Sequence, residues 1–234
     1  VNIKKASEIT TPSAIRLIYG DPGKGKTSTI GFMPGRTLVI DIDGTSSVLK
    51  GKDNIDIVDM HDPIIVENGY RIGLPKLLQE IKTNHLDSYD NIVLDNISEL
   101  ETAMLTEYGK HGNNNGVPGI QNYQQLQFWE LDLIRYLKTF GKNILITAWE
   151  VSDEWQTEAG QIFNRSYPQI RKPILTNVMG LCLQVARLSV SPKTGNRGFT
   201  LTPSDAVFAK NQIDDREFCL QEELFNSGDV DAKA

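Results

Sequence analysis

The eight residues Gly20–Thr27, GDPGKGKT, constrain this chain more than any other stretch. They follow a short apolar run, AIRLIYG at 14–20, and precede a segment able to begin a helix. Glycines let the backbone turn its N–H groups inward around phosphate oxygens, and a helix start adds partial positive charge. The spacing G-x-x-x-x-G-K-[ST] is met by Gly20, Gly25, Lys26 and Thr27. A turn matching by chance would lack the flanking strand and helix that this motif requires. The expected nucleotide contacts are Gly20, Asp21, Pro22, Gly23, Lys24, Gly25, Lys26, Thr27 and Ser28. Lys26 would reach the β and γ phosphates and Thr27 would hold the metal, which implies ATP and Mg2+ as cofactors.

Periodicity supplies the surrounding fold. TLVIDID (37–43), NIVLDN (91–96) and NILITAWE (143–150) are further apolar runs of strand length, as buried parallel strands require. Between them, Pro75 is expected to open a helix carrying Leu77, Leu78 and Ile81, and Leu126, Trp129, Leu133, Leu137 and Phe140 mark one face of a longer helix. Strands alternating with helices give an α/β fold with a mainly parallel twisted sheet. LCLQVARLSV and GFTLT, separated by SPKTGNR, read as an antiparallel C-terminal hairpin closing that sheet. Asp95, at the end of its apolar run, is the natural second metal ligand beside Thr27; the alternative is a strand-end aspartate that only caps the next helix. Asn96 follows it, so a base for hydrolysis has to come from elsewhere.

With 39% apolar and 23% charged residues the composition is that of a soluble globular chain, and no apolar run reaches membrane-spanning length. The N-terminus shows no secretory signal or anchor, so a cytoplasmic location is expected. Cys182 and Cys219 stand alone, and His61, His85 and His111 share no ligand spacing, so reduced thiols and no structural zinc are expected. Three segments follow: an N-terminal extension at 1–13, a core at 14–216, and an acidic, flexible tail at 217–234. The net charge of −6 is concentrated near the C-terminus, while residues 163–198 hold Arg165, Arg171, Lys172, Arg187, Lys193 and Arg197 with no acidic residue.

Taken together, GDPGKGKT, VIDIDGTSS, IVLDN, ITAWE and AKNQ resemble the phage P-loop nucleotide-binding family, RecA-core proteins that include single-strand annealing proteins. The resemblance covers about residues 14–216 and implies a RecA-like P-loop NTPase core. By it, Asp43 would be the general base, with Asp41 structural, and Glu150 would occupy the γ-phosphate sensor. Lys210 would act on a neighbouring subunit's nucleotide, while Gln212 stands where relatives carry Arg. The resemblance also implies a phage protein working in a bacterial host as a homo-oligomer, ring or filament, with slow ATP hydrolysis.

Two loops occupy the places where RecA relatives hold DNA, residues 109–119 and about 151–173. In the second, Arg165, Arg171 and Lys172 could neutralise phosphates, while Trp155 and Tyr167 could stack on bases. The residues alone fit equally an ordinary surface loop whose aromatics anchor it to the core; it is the resemblance that implies single-stranded DNA as the partner, with annealing or strand pairing as the outcome. A single-strand-binding or replication protein is a further expected partner. The alternatives are a partner-binding ATPase such as a helicase loader, and a small nucleotide or nucleoside kinase; the latter is disfavoured because the 109–119 loop has no arginine.

Overall fold

The computed structural model describes Lys5 and residues 13–112, 114–156 and 158–226, without the side chain of Trp155. Most of the 1–13 extension and residues 227–234 lie outside the described residues. Ten strands form the sheet: β1 Ile15–Gly20, β2 Thr37–Asp41, β3 Ile55–Asp59, β4 Asn91–Asp95, β5 Asn143–Gln156, β6 Ile162–Pro168, β7 Gln184–Val190, β8 Arg197–Thr200, β9 Lys210–Asn211 and β10 Phe218–Leu220. The helices are α1 Lys26–Ile30, α2 Pro63–Glu80, α3 Ile97–His111, α4 Ile120–Lys138 and α5 Lys172–Leu181. The strand order is β10-β8-β7-β1-β5-β4-β2-β3, parallel from β7 to β3 and antiparallel at the β8 and β10 end. This is the expected α/β fold, with the 184–200 hairpin closing the sheet.

The central strands β1, β2 and β4 are buried along their length because both faces are covered, and side chains alternate between them. Ile15, Leu17 and Tyr19 join Leu38, Ile40, Ile92, Leu94, Ile144 and Ile146 in the larger core, into which α2–α5 pack. Ile18, Val39, Val93, Leu145, Ala186 and Leu188 form the smaller core with Ile30 and Met33, Leu49 and the C-terminal Cys219 and Leu224. A C-terminal segment is thus required to cover the second face, since α1 has only 5 residues. The expected break at 216 is corrected accordingly: 217–226 is folded, with Cys219 and Leu224 buried and Arg216 paired to Asp214. The acidic residues of this stretch had masked its apolar ones.

Three further expectations are revised. The span α2 begins at Pro63, where the Asp62 carboxylate accepts from the Ile64 amide at 2.8 Å, breaks at Gly69 with φ 71° and resumes, and Pro75 lies inside the resumed part rather than opening it. Proline removes one helical N–H, so the Arg71 carbonyl loses its normal donor. The Trp129 indole donates to that carbonyl at 3.3 Å. In the 109–119 loop, α3 continues to His111, leaving the loop to start at Gly112. The 151–173 region is regular structure: β5 continues to Gln156 and pairs antiparallel with β6 from Glu150↔Pro168 to Gln156↔Ile162, and α5 begins at Lys172. With only Val151 and Trp155 apolar, VSDEWQ has no strand-like alternation, so its sequence reads as a loop.

Candidate active site

The phosphate loop leaves β1 and enters α1 at the carboxyl edge of the parallel strands, where α/β sheets place their ligands. Gly25 adopts φ 104°, a left-handed conformation that suits glycine, and Gly23 has φ 76°. Lys26 is 7% exposed and its Nζ donates to the carbonyls of Gly20 at 2.8 Å and Asp21 at 3.0 Å. Burial lowers its pKa, opposed by the nearby carboxylates of Asp95, Asp43, Asp21 and Glu150. Around this loop lies a cavity of about 780 Å³, walled by Lys26, Thr27, Asp43, Asp95, Glu99 and Trp149 among others. That volume is within the range of small-molecule sites, roughly 300–1,000 Å³.

Thr27 and Asp95 meet directly. The Thr27 hydroxyl donates to Asp95 Oδ2 at 2.8 Å, and the Thr147 hydroxyl, on the intervening strand β5, donates to Oδ1. Burial raises the Asp95 pKa to about 6, with the two threonine hydrogen bonds pulling it down and Asp43 and Asp41 pushing it up. A buried carboxylate beside a hydroxyl and open to a cavity suits a hard divalent cation that completes its shell with phosphate oxygens and water. Mg2+ therefore fits, held by Thr27 and Asp95, and when bound it would neutralise charge on the phosphates. The described residues contain no cluster of three His, Cys, Asp or Glu able to hold a metal by themselves.

Asp43 stands across the cavity on the turn after β2. Its Oδ1 accepts from the Thr45 hydroxyl at 2.6 Å and the Thr45 amide at 3.2 Å, and its Oδ2 from the Asn96 side-chain amide. Asn96 also caps α3, its Oδ1 accepting from the Glu99 amide at 2.7 Å, and the Asp95–Asn96 peptide is cis. One residue thereby links the metal-ligand strand, the candidate base and a helix start. Asp41 accepts the amides of Thr45 and Ser46, both at 3.1 Å, and so shapes the turn. Glu99, not singled out from the sequence, also lines the cavity, and burial followed by the Asp43 charge raises its pKa.

The chain matches the family model described as an AAA domain over residues 14–213. The chain belongs to this family. As an AAA domain within the RecA/AAA P-loop NTPase superfamily it is a nucleotide-binding protein. No curated protein matches it. Among solved structures, the crystal structure of the RadB recombinase is similar with a TM-score of 0.47 and 14% identity, covering 81% of this chain and 80% of that chain. No helix of the described residues is long and apolar enough to cross a membrane.

Other sequence-selected residues of this AAA domain are engaged elsewhere. Glu150 forms a two-pronged ion pair with Arg187, at 3.0, 3.1 and 2.7 Å, and its side chain is nearly inaccessible. Lys210 caps the C-terminus of α5, donating to the Cys182 carbonyl at 2.7 Å and to those of Gly180 and Met179 at 3.3 and 3.4 Å. Tyr167 is buried rather than presented for stacking, and donates to Asp153 at 2.6 Å. Lys172 pairs with the same Asp153, Arg165 lies over the Phe208 ring at 3.9 Å, and Arg171 lies over Tyr123 at 4.5 Å. Sequence reasoning missed two contributors from the C-terminal third: Arg197, which borders the cavity, and Gln221, which bonds the phosphate loop. Basic character marked Arg197; nothing in the sequence marked Gln221.

Proposed function

We propose that this chain is a Mg-ATP-dependent switch that acts on single-stranded DNA in phage recombination, promoting annealing or strand pairing with slow hydrolysis. The supporting observation is the continuity of β5. This strand carries Thr147 on Asp95, Trp149 in the cavity wall and Glu150 on Arg187, then runs unbroken into the β5–β6 hairpin. A change in nucleotide or metal at Asp95 acts on the strand that projects the hairpin, giving two states with different DNA affinity. Lys26, Thr27 and Asp95 hold Mg-ATP, Asp43 orients the attacking water, and ordered subunits align their hairpins along the strand.

Fluorescence anisotropy of labelled oligo-dT, with and without Mg-ATP across a salt series, tests this reading. Tighter binding with Mg-ATP that weakens with salt is the expected result. Failure to bind in either state, with ATP affinity intact, would reject it in favour of a partner-binding ATPase. That second reading is favoured by one observation: Tyr167 is buried, and Arg165, Arg171 and Lys172 have partners inside the fold.

A further inference from the structure

Arg197 differs from the other described arginines. Arg36, Arg135, Arg187 and Arg216 pair with carboxylates, and Arg16, Arg71, Arg165 and Arg171 lie over aromatic rings. Arg197 has neither kind of partner among the described residues, and it stands exposed in the wall of the cavity that holds Lys26, Thr27 and Asp95. Its position is set by the fold. A Cβ built on Gly25 would lie 3.0 Å from Arg197 Nε, so the guanidinium rests against the loop itself. The backbone beneath it is held on two sides: Arg197 pairs with Val190 of β7, and Gly198 pairs with Leu220 of β10. At Gly198 a Cβ would stand 2.2 Å from the Phe218 ring and 3.0 Å from the Cys219 carbonyl oxygen, so a side chain there would have to displace the Phe218 ring.

We propose that Arg197 is a phosphate ligand of the bound nucleotide, supplied in cis by the C-terminal hairpin and adding a second cation to Lys26. An unpaired guanidinium at the edge of a polyphosphate site has a geometry matched to phosphate oxygens, which it can grip with two parallel hydrogen bonds. Gly25 is glycine for two reasons in consequence: its φ of 104°, and the guanidinium occupying the space a side chain would need. The proposal rests on the Mg-ATP reading of this cavity.

Calorimetric titration of the full chain with Mg-ATP, and separately with inorganic triphosphate, tests it. Arg197→Ala should weaken both ligands by roughly tenfold or more, the scale of a charged hydrogen bond. Arg197→Lys should recover only part of that loss, because the fork is gone while the charge remains. Lys193→Ala, on the turn of the same hairpin, should bind both ligands like the wild type, and unchanged melting temperatures would show that the variants fold. Wild-type affinity in Arg197→Ala would overturn the proposal, as would a loss confined to ATP with triphosphate unaffected, which would assign Arg197 to the nucleoside. Wild-type protein that binds no nucleotide, matching Lys26→Ala, would overturn the reading of the cavity itself and the Arg197 assignment with it.

Discussion

The Gln221 side-chain amide donates to the Gly25 carbonyl at 2.8 Å and to the Thr29 hydroxyl at 2.9 Å, joining the C-terminal segment to the phosphate loop. The same segment buries Cys219 and Leu224 against Phe199 and Leu188 in the smaller core. A chain ending at residue 216 should therefore lose several kcal/mol of stability, about what removing two or three buried apolar side chains costs. Gln221→Ala alone should cost about 1 kcal/mol, since the Gly25 carbonyl keeps its bonds from the Thr29 amide and hydroxyl. Thermal unfolding of the three chains checks this; equal stability of the 216 truncation would place the domain boundary where charge alone had suggested.

On the Mg-ATP reading proposed above, the hydrogen-bonded pair Thr27 and Asp95 would act as a unit on one metal. Thr27→Ala and Asp95→Asn should each remove the part of ATP affinity that depends on Mg2+, on the order of tenfold to a hundredfold, and the double variant should lose little more. The convenient measurement is the rise in melting temperature on adding Mg-ATP, which a ligand that binds only the folded state produces. Additive losses would mean that the two side chains serve separate ligands.

Besides Asp95, two carboxylates face the cavity, Asp43 and Glu99, and turnover distinguishes them. Asp43, the proposed base, is held by Thr45 and Asn96, whereas Glu99 leaves the first turn of α3. Asp43→Ala should lower ATP turnover by roughly 10²–10⁴-fold while leaving ATP binding nearly intact. Glu99→Gln should have the smaller effect. The reverse order, measured by single-turnover hydrolysis, would transfer the role of base to Glu99.

The residues that made the phosphate site legible are contiguous: GDPGKGKT declares itself through spacing, and the apolar runs before Asp43, Asp95 and Glu150 identify buried strands. Partnerships between distant residues left no such mark. Asp95 reaches Thr27 because β5 lies between β4 and β1 and supplies Thr147, an order that periodicity does not specify. Tyr167 and Lys172 are legible in the sequence only by residue type, whereas their common partner Asp153 becomes visible only once β5 and β6 pair. Charge misled in the same way at 217–226, where acidic residues occupy the outer positions of a segment whose inner positions are Cys219, Gln221 and Leu224.

Glu101 of α3 and Glu130 of α4 are both buried, an arrangement that makes stability depend on pH. Glu101 accepts from the Arg171 amide at 2.9 Å, while neither Glu130 oxygen has a hydrogen-bond donor among the described residues. Burial, then the charge of Glu101, raises the pKa of Glu130 well above the ordinary carboxylate value, so one proton is retained between the pair. The sign follows from linkage. Between the unfolded pKa near 4.5 and the higher folded one, the native state holds more protons than the unfolded chain, so stability falls as pH rises through that window. Below the window both states are protonated and the penalty vanishes. Glu130→Gln, which keeps the shape and can donate a hydrogen bond to Glu101, should match the wild type near pH 4 and exceed its stability at neutral pH. Denaturant unfolding of both proteins across that range measures the difference. A gap that stays constant with pH would mean that Glu130 carries no extra proton in the folded state.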